Sequence, residues 1–478
     1  MPGASRAWGK QRRETGDRPS AVDYRQAIEY ILSFTDWERE PAQAFAAANF
    51  DLRRVRSLLA RLGNPQRGRQ TVHIAGSKGK GSVAAMIASI LGAALTDRGT
   101  GLYTSPHLHT FCERIALDGQ PIAEADFARL TESLAPLATA ENGDGRFGQL
   151  TTFELLTALA FLYFRERDAQ WQVLEVGLGG RLDATNVVDD KAVCVITPVS
   201  LEHAAILGDT VEKIATEKAA ILRPGTAAVM APQPYAGAAA VIRRRAVELE
   251  SPLVDVAEAY SWQRLDWDLT GQRFRLEGPP GHQRRLWLPL LGGHQLENAA
   301  TAVAAVDVLI DRGAAIPEQA IGDGLRRLRW PGRLEVLQER PLVVADGAHN
   351  GDSARRLRQA LRDCFSFDRA IVVIGVSGDK TIAAIAQELA PIARQAIATR
   401  SQHPRAAQPE AVAAAFAALG VASETCPTVA AALERALASA GPFDFAQGRP
   451  GDLICVVGSL FVVAEARERL LGVAARTA

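Results

Sequence analysis

The chain has few cysteines, and none of them is arranged as a disulfide framework or a metal site would require. The five cysteines, Cys112, Cys194, Cys364, Cys426 and Cys455, are scattered, odd in number and never spaced as C-x-x-C. This pattern argues against a disulfide scaffold and against a structural zinc site. We therefore expect the protein to work in a reducing cytoplasm.

The chain also lacks long apolar runs and an excess of either charge. No uninterrupted apolar run approaches the roughly 20 residues that a membrane span requires. The 54 basic and 54 acidic residues cancel, so no overall field directs the protein to nucleic acid or to an anionic membrane. Residues 1–21 mix Arg, Lys, Gly and Pro without an apolar stretch, so we expect a disordered tail there, not a signal or transit peptide.

Strand-like and helix-like segments alternate along most of the remaining sequence. The first series has apolar strand-like runs at 173–176, 193–197 and 227–229, with a helical pattern at 211–222. Residues 260–290 alternate polar and apolar side chains around glycines, which predicts a small antiparallel sheet. After Trp330-Pro331-Gly332, a second series has apolar runs at 342–345, 370–374, 396–399 and 453–457. Both series predict parallel βα units.

A chain of 478 residues is too long for one core, and its length predicts two or three domains. We predict the tail at 1–21, a nucleotide-binding domain at 22–328 and a second domain at 329–478. The predicted fold class is α/β. It combines an N-terminal P-loop domain, with a parallel sheet and a small antiparallel sheet, and a C-terminal Rossmann-like α/β domain. The Gly- and Pro-rich loop at 441–451 is expected to be exposed.

The most informative segment is Gly76-Ser77-Lys78-Gly79-Lys80-Gly81-Ser82, which follows a strand-like run and precedes an apolar helical pattern. Glycines let backbone N–H groups approach an anion, and the N-terminus of the next helix is positive. Lys80 would then neutralise terminal phosphates. The usual phosphate loop has Gly where Ile74 stands and Ser or Thr where Gly81 stands. A glycine turn that binds nothing therefore remains the alternative.

Polar side chains follow two predicted strands at the edge where open parallel sheets bind their ligands. The Ser105 hydroxyl can reach a magnesium ion there, or Ser105 simply begins a proline turn. Glu175 ends a buried run, where a carboxylate is costly unless a cation accompanies it. Magnesium beside the phosphates would satisfy Glu175, and a salt bridge to Arg181 is the alternative.

Three further positions are candidates at the same edge. His203 follows the next strand, although a single histidine is more often a hydrogen-bonding residue than a ligand. Lys218 lies on the helix after it, where a desolvated amine can add carbon dioxide and become a carboxylate-like ligand. In the second series, Asp346 can accept from ribose hydroxyls and His349 can face the cleft, unless Asp346 and Asn350 serve only as caps.

Together these segments resemble the folylpolyglutamate synthase and dihydrofolate synthase family, which belongs to the Mur-type ATP-dependent ligases. The resemblance covers most of the chain. Its motifs are His203 and the segments 73–82, 104–108, 152–154, 175–186, 207–210, 217–218, 294–298, 330–335, 346–350 and 458–460.

The resemblance implies a role for each motif residue. It implies ATP contacts from Gly79, Lys80, Gly81, Ser82, Asn298, Arg333 and Asp346. It implies magnesium ligands from Ser105, Glu175, His203 and a carbamylated Lys218, and catalytic roles for Lys80, Lys218 and His349. It implies folate contacts from Phe153, Glu154, Leu182, Asp183 and Ala184. Three positions depart from the family pattern: Lys78 for Asn, Glu202 for Asp and Gly351 for Pro. The first can change phosphate contacts or the cation requirement.

The implied reaction joins L-glutamate to a folate or to 7,8-dihydropteroate through an acyl phosphate, with ATP cleaved to ADP and phosphate. Magnesium is the implied metal, and a requirement for potassium is left open. We expect a monomer that has no nucleic-acid or membrane partner. Whether the enzyme extends folates, makes dihydrofolate or does both is also open. A peptidoglycan-type ligase would need a nucleotide-sugar domain before the loop, where the chain has too few residues. The sequence also leaves open a P-loop NTPase that acts as a regulator and a scaffold that binds nucleotide without turnover.

Overall fold

The computed structural model describes residues 22–36, 50–94, 99–378, 381–441 and 451–473. The predicted tail at 1–21 and most of the loop at 441–451 lie outside these ranges. The strands that are described form three sheets, two before residue 328 and one after it. We call these two portions the N-terminal part and the C-terminal part. The predicted domain limits at 328 and 329 stay a prediction.

The first sheet has a parallel centre and an antiparallel edge, in the order β4-β3-β2-β5-β1-β6-β7-β8. Its strands are β1 (Gln70–Ala75), β2 (Thr100–Tyr103), β3 (Ile115–Leu117), β4 (Gln120–Pro121), β5 (Trp171–Glu175), β6 (Val193–Ile196), β7 (Ala227–Met230) and β8 (Leu253–Asp255). Strand β1 pairs in parallel with β5 and β6, with Ile74 opposite Glu175 and Ala75 opposite Ile196. The carboxyl ends of these three strands therefore meet at one edge.

Helices cover both faces of the first sheet. They are α1 (Tyr24–Leu32), α2 (Leu52–Arg61), α3 (Lys80–Ala94), α4 (Glu124–Asp144), α5 (Thr152–Glu166), α6 (Ala204–Leu207), α7 (Val211–Ala219), α8 (Ala236–Glu248), α9 (Val256–Ala259), α10 (Gly293–Asp311) and α11 (Glu318–Arg327). Most side chains of α3 and α10 are apolar and buried, so both helices lie in the interior. Short 3₁₀ helices occupy Phe111–Arg114 and Ala184–Val187.

The second sheet is small and antiparallel, in the order β11-β10-β9. Its strands are β9 (Ser261–Asp268), β10 (Gly271–Glu277) and β11 (Gln283–Leu288), as predicted for residues 260–290. Arg284 of β11 donates to both carboxylate oxygens of Asp307 on α10, at 2.9 and 2.8 Å. The Tyr260 hydroxyl donates to the same carboxylate at 3.0 Å. These buried contacts fix the small sheet to α10.

The third sheet forms the C-terminal part, in the order β12-β13-β17-β14-β15-β16. Its strands are β12 (Glu335–Glu339), β13 (Leu342–Ala345), β14 (Ala370–Ile374), β15 (Ala393–Ala398), β16 (Ala422–Thr425) and β17 (Leu453–Val457). Its helices are α12 (Gly351–Cys364), α13 (Ile382–Leu389), α14 (Pro409–Ala417), α15 (Val429–Ser439) and α16 (Leu460–Leu471), with a 3₁₀ helix at Ala390–Ile392. All neighbouring strands except β12 are parallel. The predicted α/β fold class is confirmed in both parts.

Helix α7 is shorter than the sequence predicts. It ends at Ala219 instead of Leu222. Ile221 and Leu222 continue it only with i→i+3 bonds, of 3.3 and 3.1 Å, because Pro224 disfavours helical backbone immediately before it. Among the described helices, none is both long and apolar enough to cross a bilayer. The five cysteine thiols are free.

Candidate active site

The glycine-rich loop joins β1 to α3 at the edge where the strand ends meet. Gly79 has φ +82°, and a Cβ there would lie 2.4 Å from Oδ1 of Asn298. Helix α3 begins at Lys80, so its first N–H groups have no acceptor within the helix. The N–H groups of Ser77 and Lys78 instead donate to the Pro198 carbonyl, at 2.9 and 3.1 Å. The candidate anion-binding end of the loop is therefore the segment from Gly79 to Ser82.

Glu175 is a buried carboxylate directly beside this loop. Its Oε2 atom accepts the Ser105 N–H at 3.1 Å, and its Oε1 atom lies 4.0 Å from Nζ of Lys80. Burial raises the pKa of Glu175, and Lys80 counteracts that shift only in part. Arg181, the alternative partner, pairs with Glu217 at 2.9 Å. The Lys80 ammonium thus lies beyond hydrogen-bond distance of Glu175, and this carboxylate fits a hard cation with oxygen ligands.

A second charged group lies on the other side of the loop. Nζ of Lys218, 2% exposed, donates to the Gly76 carbonyl at 2.8 Å and to Oε1 of Glu202 at 3.1 Å. Nζ of Lys78 lies 3.5 Å from Oε2 of the same carboxylate. Burial lowers the pKa of Lys218 to about 8. Burial would raise the pKa of Glu202, but the two ammonium groups lower it to about 2.

His203 is exposed and begins helix α6 with φ 48°. Across the described ranges, no three His, Cys, Asp or Glu side chains are grouped so that they could hold a metal ion. A metal at this edge would therefore depend on ligands of other kinds, such as phosphate oxygens, water, a serine or a modified lysine. Of the predicted metal ligands, the structure brings Ser105 and Glu175 into direct contact. Lys218 contacts Glu202 instead.

The C-terminal part contributes Arg333, Asp346 and His349. Asp346 accepts the N–H groups of Leu334 and Ala348, both at 2.8 Å, and burial raises the pKa of its carboxyl. Arg333 acts electrostatically on the carboxyls of both Asp346 and Glu175. The Trp330 ring of the C-terminal part would lie 2.9 Å from a Cβ on Gly81, so the predicted nucleotide residues of the two parts lie near one another.

His349 and Asn350 lie where β13 leads into α12. Nδ1 of His349 lies 2.9 Å from the Gly347 carbonyl, and its backbone N–H donates to Ser353 Oγ at 3.0 Å. The Asn350 side chain accepts the Ser353 N–H at 2.9 Å, so Asn350 caps α12 as the sequence allows. His349 is half-buried beside this cap.

The predicted folate residues lie at the start of α5 and after β5. A Cβ on Gly177 would be 2.6 Å from the Phe153 ring, so this ring lies against the backbone after β5. Glu154 accepts from Arg54 Nε with both oxygens, at 2.8 and 2.9 Å. Asp183 accepts the Leu178 and Thr185 N–H groups at 2.9 and 3.0 Å, while Ala184 is buried and Leu182 half-buried. The carboxylates of Glu154 and Asp183 thus already have partners within the protein.

One loop of the N-terminal part reaches the C-terminal part. The Glu113 carboxylate accepts the N–H groups of Leu108, His109 and Thr110, at 2.8, 2.9 and 3.0 Å, which fixes the loop after Ser105. Nδ1 of His109 lies 3.0 Å from Oε1 of Glu468 on α16. The Leu108 side chain packs against the apolar cluster of the C-terminal part. This loop therefore contacts Glu175 through Ser105 at one end and α16 at the other.

Three contacts near the site are not predicted by the sequence. They are the Lys78–Glu202 pair, the Arg54–Glu154 pair and the approach of Trp330, whose ring would lie 2.9 Å from a Cβ on Gly81. The first carries a signal in the sequence, because both residues depart from the family pattern and have opposite charges. The other two join distant segments, and no spacing rule reveals them.

The sequence matches two domain families in succession. Residues 74–306 match the Mur ligase middle domain, and residues 332–460 match the Mur ligase, glutamate ligase domain. Both matched segments contain the predicted nucleotide-binding residues of their respective parts.

Relatives and solved structures agree with these matches. A Bacillus subtilis protein named "Dihydrofolate synthase/folylpolyglutamate synthase" is 37% identical over 358 residues, which covers 74% of this chain and 82% of the relative. A Halobacterium salinarum protein named "Probable bifunctional folylpolyglutamate synthase/dihydropteroate synthase" is 37% identical over 449 residues, covering 88% of this chain. The chain spans only about half, 51%, of that relative's length.

The structure of Mycobacterium tuberculosis folylpolyglutamate synthase complexed with ADP superposes with a TM-score of 0.81 at 32% identity, covering 92% of this chain and 98% of that one. E. coli FolC in complex with DHPP and ADP gives 0.80 at 30% identity, with coverages of 95% and 99%. The chain belongs to the folylpolyglutamate synthase/dihydrofolate synthase family of Mur-type ligases, which confirms the resemblance seen in its motifs.

Proposed function

We propose that the protein is an ATP-dependent ligase that adds L-glutamate to a folate, to 7,8-dihydropteroate or to both. The observation that carries this proposal is the approach of the two parts at the loop, where the Trp330 ring of the C-terminal part and Oε2 of Glu175 would lie 2.9 and 3.3 Å from a Cβ on Gly81. The names of the relatives, and the ADP and DHPP held by the solved neighbours, support it.

In this proposal the loop binds the phosphates of ATP. The first N–H groups of α3 face the anion, and Lys80 offsets the charge of the phosphoryl group that is transferred. Ser82 lies within the first turn of α3, and Asn298 lies against Gly79. Arg333 and Asp346 hold the nucleoside from the C-terminal part, where a buried carboxylate accepts hydrogen bonds from ribose hydroxyls.

ATP is needed because a carboxylate does not react with an amine. Its leaving group would be oxide, so the carboxylate oxygen first attacks the terminal phosphorus and ADP leaves. The amine nitrogen of glutamate then attacks the acyl carbon, phosphate leaves, and the nitrogen gives up a proton. His349, half-buried at the start of α12, is the proposed residue beside this second step. Closure of the cleft keeps water from the acyl phosphate.

The fit of a magnesium ion rests on Glu175 and Ser105. Glu175 is buried and its nearest ammonium, on Lys80, is 4.0 Å away, so a bound cation would balance its charge. When bound, magnesium offsets the charge of the phosphates. His203 and Lys218 are proposed as further ligands. Lys218 would serve only after carbamylation, because an ammonium has no lone pair to offer. Its lowered pKa, about 8, favours the free amine that this modification needs.

The acceptor is proposed to lie along the start of α5 and the segment after β5. Phe153 supplies an aromatic ring there, and Leu182 and Ala184 supply apolar contacts. The Glu154 and Asp183 carboxylates already accept hydrogen bonds from Arg54 and from backbone N–H groups. We propose that both side chains shape this pocket and accept hydrogen bonds from the folate or dihydropteroate with their remaining lone pairs.

We further propose a cytoplasmic monomer with domains at 22–328 and 329–478. Five free thiols suit a reducing compartment. Light scattering of the purified protein, with and without ATP, would test the monomer directly, and a dimer mass would contradict it.

The test follows phosphate release and products by mass spectrometry, with ATP, glutamate and either 7,8-dihydropteroate or a reduced folate monoglutamate. Lys80→Ala and Glu175→Ala should each lower the glutamate-dependent rate by about 10²-fold or more. Lys213→Ala is the matched control, because Lys213 is exposed and its ammonium pairs with Asp209 at the surface. Wild-type rates in the two site variants would contradict the assigned roles. Phosphate release without any acceptor would indicate an NTPase, and ATP binding without turnover would indicate a scaffold.

A further inference from the structure

His73 is a fully buried histidine at the centre of the first sheet. It lies within β1, opposite Leu174 of β5 on one side and Cys194 of β6 on the other. Strands buried on both faces are usually apolar, and an imidazole there is costly unless it is hydrogen-bonded. His73 precedes the glycine loop and is not part of it, so phosphate binding does not explain the histidine either. The contacts of its ring indicate what it does.

The His73 ring belongs to a chain of three side chains. Its Nε2 atom lies 2.8 Å from Oγ1 of Thr185, in the 3₁₀ helix at Ala184–Val187. The Thr185 hydroxyl donates to Oδ1 of Asp183. A hydroxyl has only one hydrogen to donate, so Oγ1 of Thr185 accepts from His73. The ring hydrogen is therefore on Nε2, and Nδ1 has none.

The charge state of the ring agrees with this direction. Burial lowers the pKa of His73 well below its ordinary value, and the positive charges of Lys191 and Arg223 lower it further. Within the described ranges, the buried Nδ1 atom has no hydrogen-bond partner. A neutral imidazole with its hydrogen on Nε2 donates once, to Thr185. The chain thus runs from His73 through Thr185 to Asp183.

Asp183, at the end of this chain, is tied to the segment after β5. Its Oδ1 atom accepts the Thr185 N–H at 3.0 Å, and its Oδ2 atom accepts the Leu178 N–H at 2.9 Å. The Phe153 ring lies against Gly177, the residue before Leu178. Capping the 3₁₀ helix requires only the bond from the Thr185 N–H. The Thr185 hydroxyl and the His73 ring are therefore additional restraints on this carboxylate.

We propose that His73 is a positioning residue for the folate or dihydropteroate, which acts through Thr185 on Asp183. The Nε2–H group of His73 keeps the Thr185 hydroxyl directed at Oδ1 of Asp183. The carboxylate then cannot rotate, and Oδ2 keeps its remaining lone pair directed at the N–H donors of the pterin ring. His73 itself does not touch the substrate. The inference rests on the proposed function and names the residue that orients one of its substrate contacts.

Steady-state kinetics with 7,8-dihydropteroate, or with a reduced folate monoglutamate, tests this role. His73→Met fills a similar volume without a donor, so the KM for that substrate should rise about tenfold. The KM for ATP and kcat should not change, because the phosphate loop is intact. His73→Gln places an amide donor near the position of Nε2 and should restore most of the wild-type KM.

Thr185→Val removes the middle of the chain without changing the size of the side chain. It should raise the same KM as His73→Met does, and the double variant should be no worse than either single one, because both break one chain. Thr71→Val is the matched control. Thr71 is buried two residues earlier on the same face of β1, and its hydroxyl contacts Arg69 and Gln172 instead. Its KM should stay at the wild-type value.

The position of the ring hydrogen can be measured without turnover. In ¹⁵N-histidine-labelled protein, protonated and unprotonated ring nitrogens resonate at separate positions, and comparison with His73→Gln assigns the His73 signals. We expect the hydrogen on Nε2. A hydrogen on Nδ1 would overturn the inference, since Thr185 would then donate to His73 and not to Asp183.

The kinetic outcomes separate this inference from the proposed function. An unchanged KM in His73→Met and in Thr185→Val, with normal turnover, would overturn the inference alone. A lower midpoint of thermal unfolding with that KM unchanged would show a structural role only and would also overturn it. Additive effects in the double variant would contradict a single chain. A wild-type protein that forms no glutamyl product from either substrate would count against the proposed function.

Discussion

Replacing Gly79 by alanine is expected to weaken nucleotide binding through one identified contact. Gly79 has φ +82°, and the new Cβ would lie 2.4 Å from Oδ1 of Asn298. Left-handed backbone costs a non-glycine residue about 1–2 kcal/mol. The contact adds to this, because Asn298 must turn away and lose its 3.0 Å hydrogen bond to Gln295, which is worth about 1 kcal/mol. The expected loss in the free energy of unfolding is therefore about 2–3 kcal/mol.

Gly68 provides a matched control for the backbone cost. Its φ is +81°, and a Cβ there would have nothing within 4 Å. Gly68→Ala should therefore lose only about 1–2 kcal/mol and should bind ADP as wild type does. Gly79→Ala should in addition bind ADP at least about tenfold more weakly, since its strain falls where the phosphates are proposed to bind.

Urea denaturation and ADP calorimetry on the two variants measure both effects. In Gly79→Ala/Asn298→Ala the contact is removed, so the loss in stability should be smaller than the sum of the two single losses. Equal losses in Gly68→Ala and Gly79→Ala, with ADP affinity unchanged in both, would refute the reasoning from the Asn298 contact.

Two further predictions concern buried charges away from the loop. Arg54→Met leaves the Glu154 carboxylate buried without its partner, so urea denaturation should show a loss of about 3–5 kcal/mol in the free energy of unfolding. Arg54→Met/Glu154→Gln should recover most of that loss. A double variant as unstable as the single one would contradict this reasoning. If Glu154 also contacts the folate or dihydropteroate, the KM of the double variant for that substrate should stay above the wild-type value even though its stability is restored. Lys191 donates to Asn186 and to the Ile221 carbonyl, and burial lowers its pKa to about 7. The folded state then binds fewer protons than the unfolded state between pH 7 and the ordinary lysine pKa, so stability should rise with pH by up to about 1.4 kcal/mol per unit. Lys191→Met should flatten that rise, and an unchanged slope in this variant would refute the assignment.

The strands were predictable because their apolar runs are continuous. The runs at 342–345, 370–374 and 453–457 coincide with β13, β14 and β17, since strands buried on both faces carry few polar residues. The glycine loop was predictable because few local structures need that spacing of glycine and lysine. The strands and the glycine loop are both determined by residues close together in the chain, and a single sequence shows such local patterns directly.

The charge partners were not predictable, because they join residues far apart in the chain. Glu154 was expected to contact a folate, yet its partner in the structure is Arg54, from a separate helix. The alternative partner of Glu175, Arg181, pairs with Glu217 on α7. Pairing of this kind depends on how helices lie on the sheet, which hydrophobic spacing does not specify. The site residues themselves stay predictions until the variants are measured.

The loop that carries Ser105 links the N-terminal part to the C-terminal part through one contact with each. Its far end is held by Glu468 of α16 through His109, while its near end donates to Glu175. A hinge motion that carried α16 away would strain this loop and shift the serine beside the proposed magnesium position. We therefore expect that moving the C-terminal part away displaces Ser105 from the proposed phosphate site. ATP would then not be cleaved while the two parts are separated.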